Sequence, residues 1–142
     1  MKKVFLVALA LGMVFTVLGA TGCSSSAGAD LEGKKWVLES YGDRDSPTAI
    51  IQDTNVTAEF ADGQINGSGG CNNYFGSYEV SGKSLTFGPV ASTEMYCMDP
   101  EGVMDQEYAY LQSLGQAETY EISDGKLLMT CSGDQVLTFA EE

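Results

Sequence analysis

From Lys35 to Phe139 the chain alternates apolar and polar residues in short runs, most of them closed by small polar residues. A period of two puts successive side chains on opposite faces of a strand, so this pattern demands a sheet with one buried face. Lys35–Tyr41 reads as a first strand, with Trp36 and Leu38 on one side. Residues 55–60 alternate in the same way and align Val56, Ala58 and Phe60. Asp62-Gly63 is a hairpin turn pair, from which Gln64 to Gly67 begins a return strand. Tyr74–Val80 and Ser84–Phe87 form a second pair around Ser81-Gly82, and Val90–Thr93 is expected as a further strand after Pro89. Thr119–Ile122, Leu127–Cys131 and Val136–Phe139 close the chain around Asp124-Gly125 and Ser132-Gly133-Asp134.

One stretch breaks this period. Val103, Glu107, Tyr110, Leu111 and Leu114 recur at helical spacing, and Gly115 is a natural stop. Asp99 followed by Pro100 suits a helix start, as the N-cap and first helical residue. Glu107 is the polar exception on this face, a buried hydrogen-bonding carboxylate or an edge residue. The expected fold is α+β, a mostly antiparallel curved sheet or partial barrel packed with one helix.

The N-terminus carries different information. Met1-Lys2-Lys3 precedes an apolar run, Val4 to Ala20, interrupted only by Gly12, Thr16 and Gly19. Lysines ahead of a short apolar stretch have the layout of a secretory signal. The run closes in Gly19-Ala20-Thr21-Gly22 before Cys23, which resembles a lipobox, the site where a lipoprotein is lipidated on Cys and cut just before it. Ala20 departs from the usual Leu. Seventeen residues is the lower edge of a membrane span, and the glycines and Thr16 weaken that reading. The expected organisation is a signal peptide over 1–22, a lipidated Cys23 with a flexible tether to residue 30, and one domain over 31–140.

Loss of the signal leaves five basic against twenty acidic residues, a net charge of −15. No basic cluster survives, so nucleic acid is excluded as a natural partner. An anionic membrane surface would repel such a domain, so the acyl chains on Cys23 must hold it there. The chain contains no His, which removes Ser-His and Cys-His nucleophile pairs.

The segment Gly67-Ser68-Gly69-Gly70-Cys71-Asn72-Asn73-Tyr74-Phe75-Gly76-Ser77-Tyr78 is distinctive, as are Leu85-Thr86-Phe87, Ser92-Thr93-Glu94-Met95-Tyr96-Cys97 and Met104-Asp105-Gln106-Glu107-Tyr108. Together they resemble the META domain, also called the HslJ-like domain of bacterial envelope proteins. The resemblance rests on a Gly-Cys-Asn turn (Gly70, Cys71, Asn72), a Gly-x-Tyr strand (Gly76, Tyr78), a Thr-x-Met-x-Cys segment (Thr93, Met95, Cys97) and the Glu107 helix. It implies a small α+β fold, no established reaction, and for some members a link to heat or antibiotic stress. The fold has been compared with secretin pilot lipoproteins.

With Cys23 assigned to lipid, Cys71, Cys97 and Cys131 remain, and any two of them could pair. The resemblance favours Cys71 with Cys97, leaving Cys131 as a thiol on the face of Leu127 and Met129. Without His or CxxC spacing, no zinc site is expected. Asp43-Arg44-Asp45 and Asp99-Pro100-Glu101 lack the spaced ligands of a calcium loop. No cofactor is expected. Gly67, Gly69 and Gly70 suggest a tight bend or close approach, and the stretch has no Walker pattern for phosphate. Asn72 and Asn73 suit a turn in which side chains bond nearby backbone. Thr93, Met95 and Tyr78 are expected in the core and sheet. Trp36, Phe75, Tyr78 and Phe87 are the aromatics available to line a groove, or else to fill the core.

These features favour a binding or accessory module of the envelope stress response. The alternatives are a pilot-like lipoprotein docking on a secretion component and, last, a carboxylate-dependent hydrolase.

Overall fold

The computed structural model describes residues 28–142, so the expected signal peptide, Cys23 and the first part of the expected tether lie outside the described residues. Ten strands and one helix follow in the order β1 (Lys35–Asp43), β2 (Thr48–Ala49), β3 (Thr57–Ala61), β4 (Gln64–Ser68), β5 (Asn73–Ser81), β6 (Ser84–Phe87), β7 (Ala91–Ser92), α1 (Val103–Leu114), β8 (Ala117–Ser123), β9 (Lys126–Cys131) and β10 (Gln135–Glu141). Eight of the strands pair antiparallel with their neighbours in sequence, and β10 pairs back onto β1. The sheet therefore closes into an eight-stranded barrel, where the sequence pointed to a curved sheet or partial barrel. Closure leaves no free edge on the main path. The short strands β2 and β7 attach outside it, to β1 and β5.

The alternation works as the sequence suggests. In β5 Tyr74, Gly76 and Tyr78 face inward while Asn73, Phe75, Ser77 and Glu79 face out. Trp36, Leu38, Ala58, Phe60, Ile65, Leu85, Leu127, Met129, Leu137 and Phe139 are buried from the other strands. Asp62-Gly63 and Asp124-Gly125 turn with both residues at positive φ, the backbone that right-twisted hairpins require.

An up-and-down barrel has two ends. At one, residues 28–34 cross the opening: Leu31 is fully buried, its carbonyl accepts the Trp36 indole N–H at 3.1 Å, and Glu32 bridges to Phe60. Tyr120 donates to Asp30 at 3.0 Å and Gly28 packs against Val80. Residues 28–30, expected to be part of the tether, thus pack on the barrel. The loops of the other end hold α1, whose Tyr110 and Leu114 complete the core and whose Tyr110 ring meets Tyr74 and Phe139 edge-on.

The helix starts later than its sequence suggests. Asp99-Pro100 is a cis peptide, Gly102 at φ 87° takes the N-cap position, and the first helical residue is Val103. Gly115 ends it, with its N–H on the Leu111 carbonyl.

Candidate functional site

Gly70, Cys71, Asn72, Thr93, Met95, Cys97 and Glu107 meet at the helix end of the barrel, whereas Gly76 lies along β5 and Tyr78 reaches Glu32 at the opposite end. Residues 69–72 join β4 to β5 and pass beneath α1, where Glu107 points down into the loop. Its Oε2 accepts the backbone N–H of Cys71 at 3.0 Å and of Asn72 at 2.6 Å, and its Oε1 accepts the Asn72 side-chain amide at 2.7 Å. Glu107 and Asn72 are both buried. A buried carboxylate must find donors, and this one has three on one loop.

Asn72 extends the network. Its Oδ1 accepts the Thr93 hydroxyl and the Met95 N–H, both at 2.7 Å, and its amide also donates to the Met95 carbonyl at 3.0 Å. Cys71 is joined to Cys97 by a disulfide. Three segments distant in sequence, 69–73, 93–97 and α1, are thereby fastened by side-chain bonds and one covalent link. The Asn72 side chain does not bond nearby backbone as an ordinary turn residue's would; its partners lie more than twenty residues away.

The glycines serve close approach. A Cβ on Gly69 would stand 2.7 Å from Glu107 Cγ and Oε2, and one on Gly67 would stand 2.0 Å from the Thr57 carbonyl oxygen. Gly70 has φ 116°, which side chains disfavour. Gly76 lies under Pro89 and Val90, where a Cβ would be 3.3 Å from both.

Gln106 is a buried residue the sequence reading missed. Its Oε1 accepts the Ile51 N–H at 2.7 Å and its Nε2 donates to Thr54 at 3.0 Å, which ties the loop after β2 to α1. Beneath lies a second buried pair. Tyr74 donates to the Thr57 carbonyl at 2.8 Å, so the hydroxyl contact with Tyr110 at 2.6 Å has Tyr110 as donor. Burial pushes both phenols well above their ordinary value. Tyr78 donates to Glu32 at 2.6 Å; burial and then that carboxylate raise it too.

One expectation is overturned. Thr93 and Met95 are not core residues: both are exposed, and they join the network through the Thr93 hydroxyl and the Met95 backbone. The four aromatics, expected in the core or else in a groove, divide: Trp36 and Tyr78 fill the core, while Phe87 and Phe75 border two separate surface clefts and share no single groove. Phe75 alternates outward from Tyr74 and stands exposed. Cys131 is a buried free thiol beside Leu127 and Met129 on the inner face of β9. Its thiol is pushed up to about 11, first by burial and then by the charge of Glu118. No buried side-chain nitrogen or oxygen among the described residues lacks a partner, and no cluster of three or more His, Cys, Asp or Glu among them is placed to hold a metal.

No curated protein sequence matches the chain. Among solved structures it is similar to a protein from Burkholderia xenovorans determined by NMR, at 26% identity over 80% of this chain and 85% of that one, with a TM-score of 0.68. A second NMR structure is 23% identical over 79% and 92%, with a TM-score of 0.61. The crystal structure of a duf4847 family protein from Bacteroides vulgatus matches at 14% over 80% and 95%, with a TM-score of 0.57, and shares the fold. The model of the META domain matches residues 29–142, from the turn that covers one end of the barrel through the strand that closes it, and on that match the chain belongs to the META domain family.

Proposed function

We propose that this protein is a lipid-anchored module of the cell envelope that acts by docking on other envelope components and catalyses no reaction. One observation carries the reading: the motif residues at the helix end are engaged with one another. Both oxygens of Glu107, both polar atoms of the Asn72 side chain and the Cys71–Cys97 link hold loops together, and none of these groups is left to meet a substrate. A motif used this way fixes the shape of a surface.

The anchor reading rests on the Lys-rich start, the apolar run and Cys23. It agrees with a folded part that begins at one end of the barrel, with the helix and its loops at the opposite end. The domain then faces away from the cytoplasm, on the outer membrane or on the outer face of a single membrane, and a role in envelope stress is indirect.

Expression of the Cys23→Ser chain tests the anchor. Radiolabelled palmitate should mark the natural chain and not the variant, and the variant should leave the membrane fraction. Equal labelling of both would refute lipidation at Cys23. Turnover of an envelope substrate by the purified protein, abolished by one acidic substitution, would refute the non-catalytic reading.

A further inference from the structure

The segment that the network fastens displays what a stable domain normally hides. Met95 is 53% exposed, Tyr96 and Met98 each 80%, and Tyr108, on the outer side of α1, 68%. Tyr96, Met98 and Met104 line a surface cleft of about 300 Å³ together with Cys97, Gly102 and two carboxylates, Glu101 and Asp105.

Exposed apolar side chains near one another on an ordered loop mark an interaction surface more often than chance exposure does. Here the loop is held from three sides: the disulfide at Cys97, the Asn72 bonds to Met95, and the Cys97 N–H on the Met104 sulfur at 3.5 Å. Anchors on a fastened loop lose little freedom on binding. Methionine and tyrosine also suit contact surfaces, one adaptable and the other large and amphipathic.

Charge narrows the occupant. Glu94, Asp99, Glu101 and Asp105 fall within the same stretch, and no Lys or Arg occurs between Lys83 and Lys126. Three of the lysines are paired with carboxylates of β1 or the chain end, Lys34 with Glu141, Lys35 with Glu142 and Lys126 with Glu39. These lysines, with Lys83 in the β5–β6 turn, lie at the end of the barrel away from α1, and Arg44, the one basic residue at the α1 end among the described residues, donates to Thr130 away from this cleft. An anionic membrane or another acidic chain would be repelled from the α1 end; a surface bearing Lys or Arg around apolar side chains would be drawn to it.

Resting on the docking reading above, we propose that Met95, Tyr96, Met98 and Tyr108, with Glu101 and Asp105, form the docking surface, and that its partner is a protein segment with basic residues flanking an apolar anchor. Met98 and Tyr96 supply the apolar contact, and the two carboxylates receive the cations.

Photo-crosslinking in cells producing the full chain tests this. A photoreactive phenylalanine analogue is placed at Tyr96 or Tyr108, and in control chains at Glu79 on the barrel wall or at Asp124 in the turn at the opposite end. The expected result is a protein adduct from Tyr96 and Tyr108 whose crosslinked peptide, mapped by mass spectrometry, carries at least two Lys or Arg beside an apolar residue. With the analogue at Tyr108, that adduct should fall at least fivefold in the Met98→Ser chain and in the Glu101→Gln, Asp105→Asn chain. Adducts from Glu79 or Asp124 alone would overturn this surface and leave docking standing. Lipid adducts from Tyr96, or protein adducts on an acidic peptide, would also overturn it. No protein adduct from any of the four positions would overturn the surface and the docking reading together.

Discussion

Glu107 shows how one side chain can hold a loop to a helix. Two backbone N–H groups and one amide converge on its carboxylate, so replacing it with Gln turns one oxygen into a donor facing a donor. The Asn72 amide cannot rotate to compensate, because its oxygen already accepts from Thr93 and Met95. Glu107→Gln should therefore cost about 1–3 kcal/mol, the usual penalty for an unsatisfied buried group. Urea denaturation at neutral pH measures it, and a loss below about 0.5 kcal/mol would contradict the assigned bonds. That Glu107 matters was legible as a polar residue on an apolar helix face. Its partners were not, since Cys71 and Asn72 lie 36 and 35 positions away and no local pattern records such a pairing. Gln106 left no signal at all, being a polar residue beside a stripe that already looked complete.

Among the elements, the strands were legible and the helix start was not. Alternation and Asp-Gly turns are local devices, so the hairpins appear in sequence nearly where they fold. Asp99-Pro100 has the composition of a helix start, but Gly102 in left-handed conformation separates it from the first helical residue. The 94–102 segment is instead governed by its ties to Asn72 and Cys71. Closing the roughly 27-residue loop between Cys71 and Cys97 removes unfolded-state freedom worth about 3.5 kcal/mol on the chain-entropy model. Cys97→Ser should therefore lower stability by about 2–4 kcal/mol. Hydrogen exchange should show faster opening at 94–100, with β9 and β10 changing only as global stability falls. Protection at 94–100 equal to that of the natural chain would show that the disulfide does not hold this loop.

For the whole molecule, the buried tyrosines and Cys131 set a response to alkali. Tyr120 is pushed up to about 12, first by burial and then by its bond to Asp30, and Cys131 to about 11. In the unfolded chain these groups lose their protons near their ordinary values of 10 and 9. The folded state therefore binds more protons above pH 9, so its stability is full below that pH and falls as pH rises towards 12. Thermal melts from pH 7 to 11.5 should give a flat Tm up to about 9 and a decline beyond it. Cys131→Ala should move the onset towards 10. A Tm that stays level to pH 11 would show that the phenols and the thiol ionise without opening the barrel.

Closure of the barrel was beyond the sequence, because β1 and β10 stand almost the full domain apart and nothing in either names the other. Their ladder joins Trp36 to Glu141 and Asp43 to Gln135. This seam makes the final strand a condition of assembly. Until Gln135–Glu141 has arrived, β1 and β9 each carry an unpaired flank open to other chains. A polypeptide made N-terminus first delivers that strand last, so the barrel can close only once Gln135–Glu141 is available. Cutting the chain at Asp134 would thus remove the clasp of the whole structure and leave a product prone to aggregate.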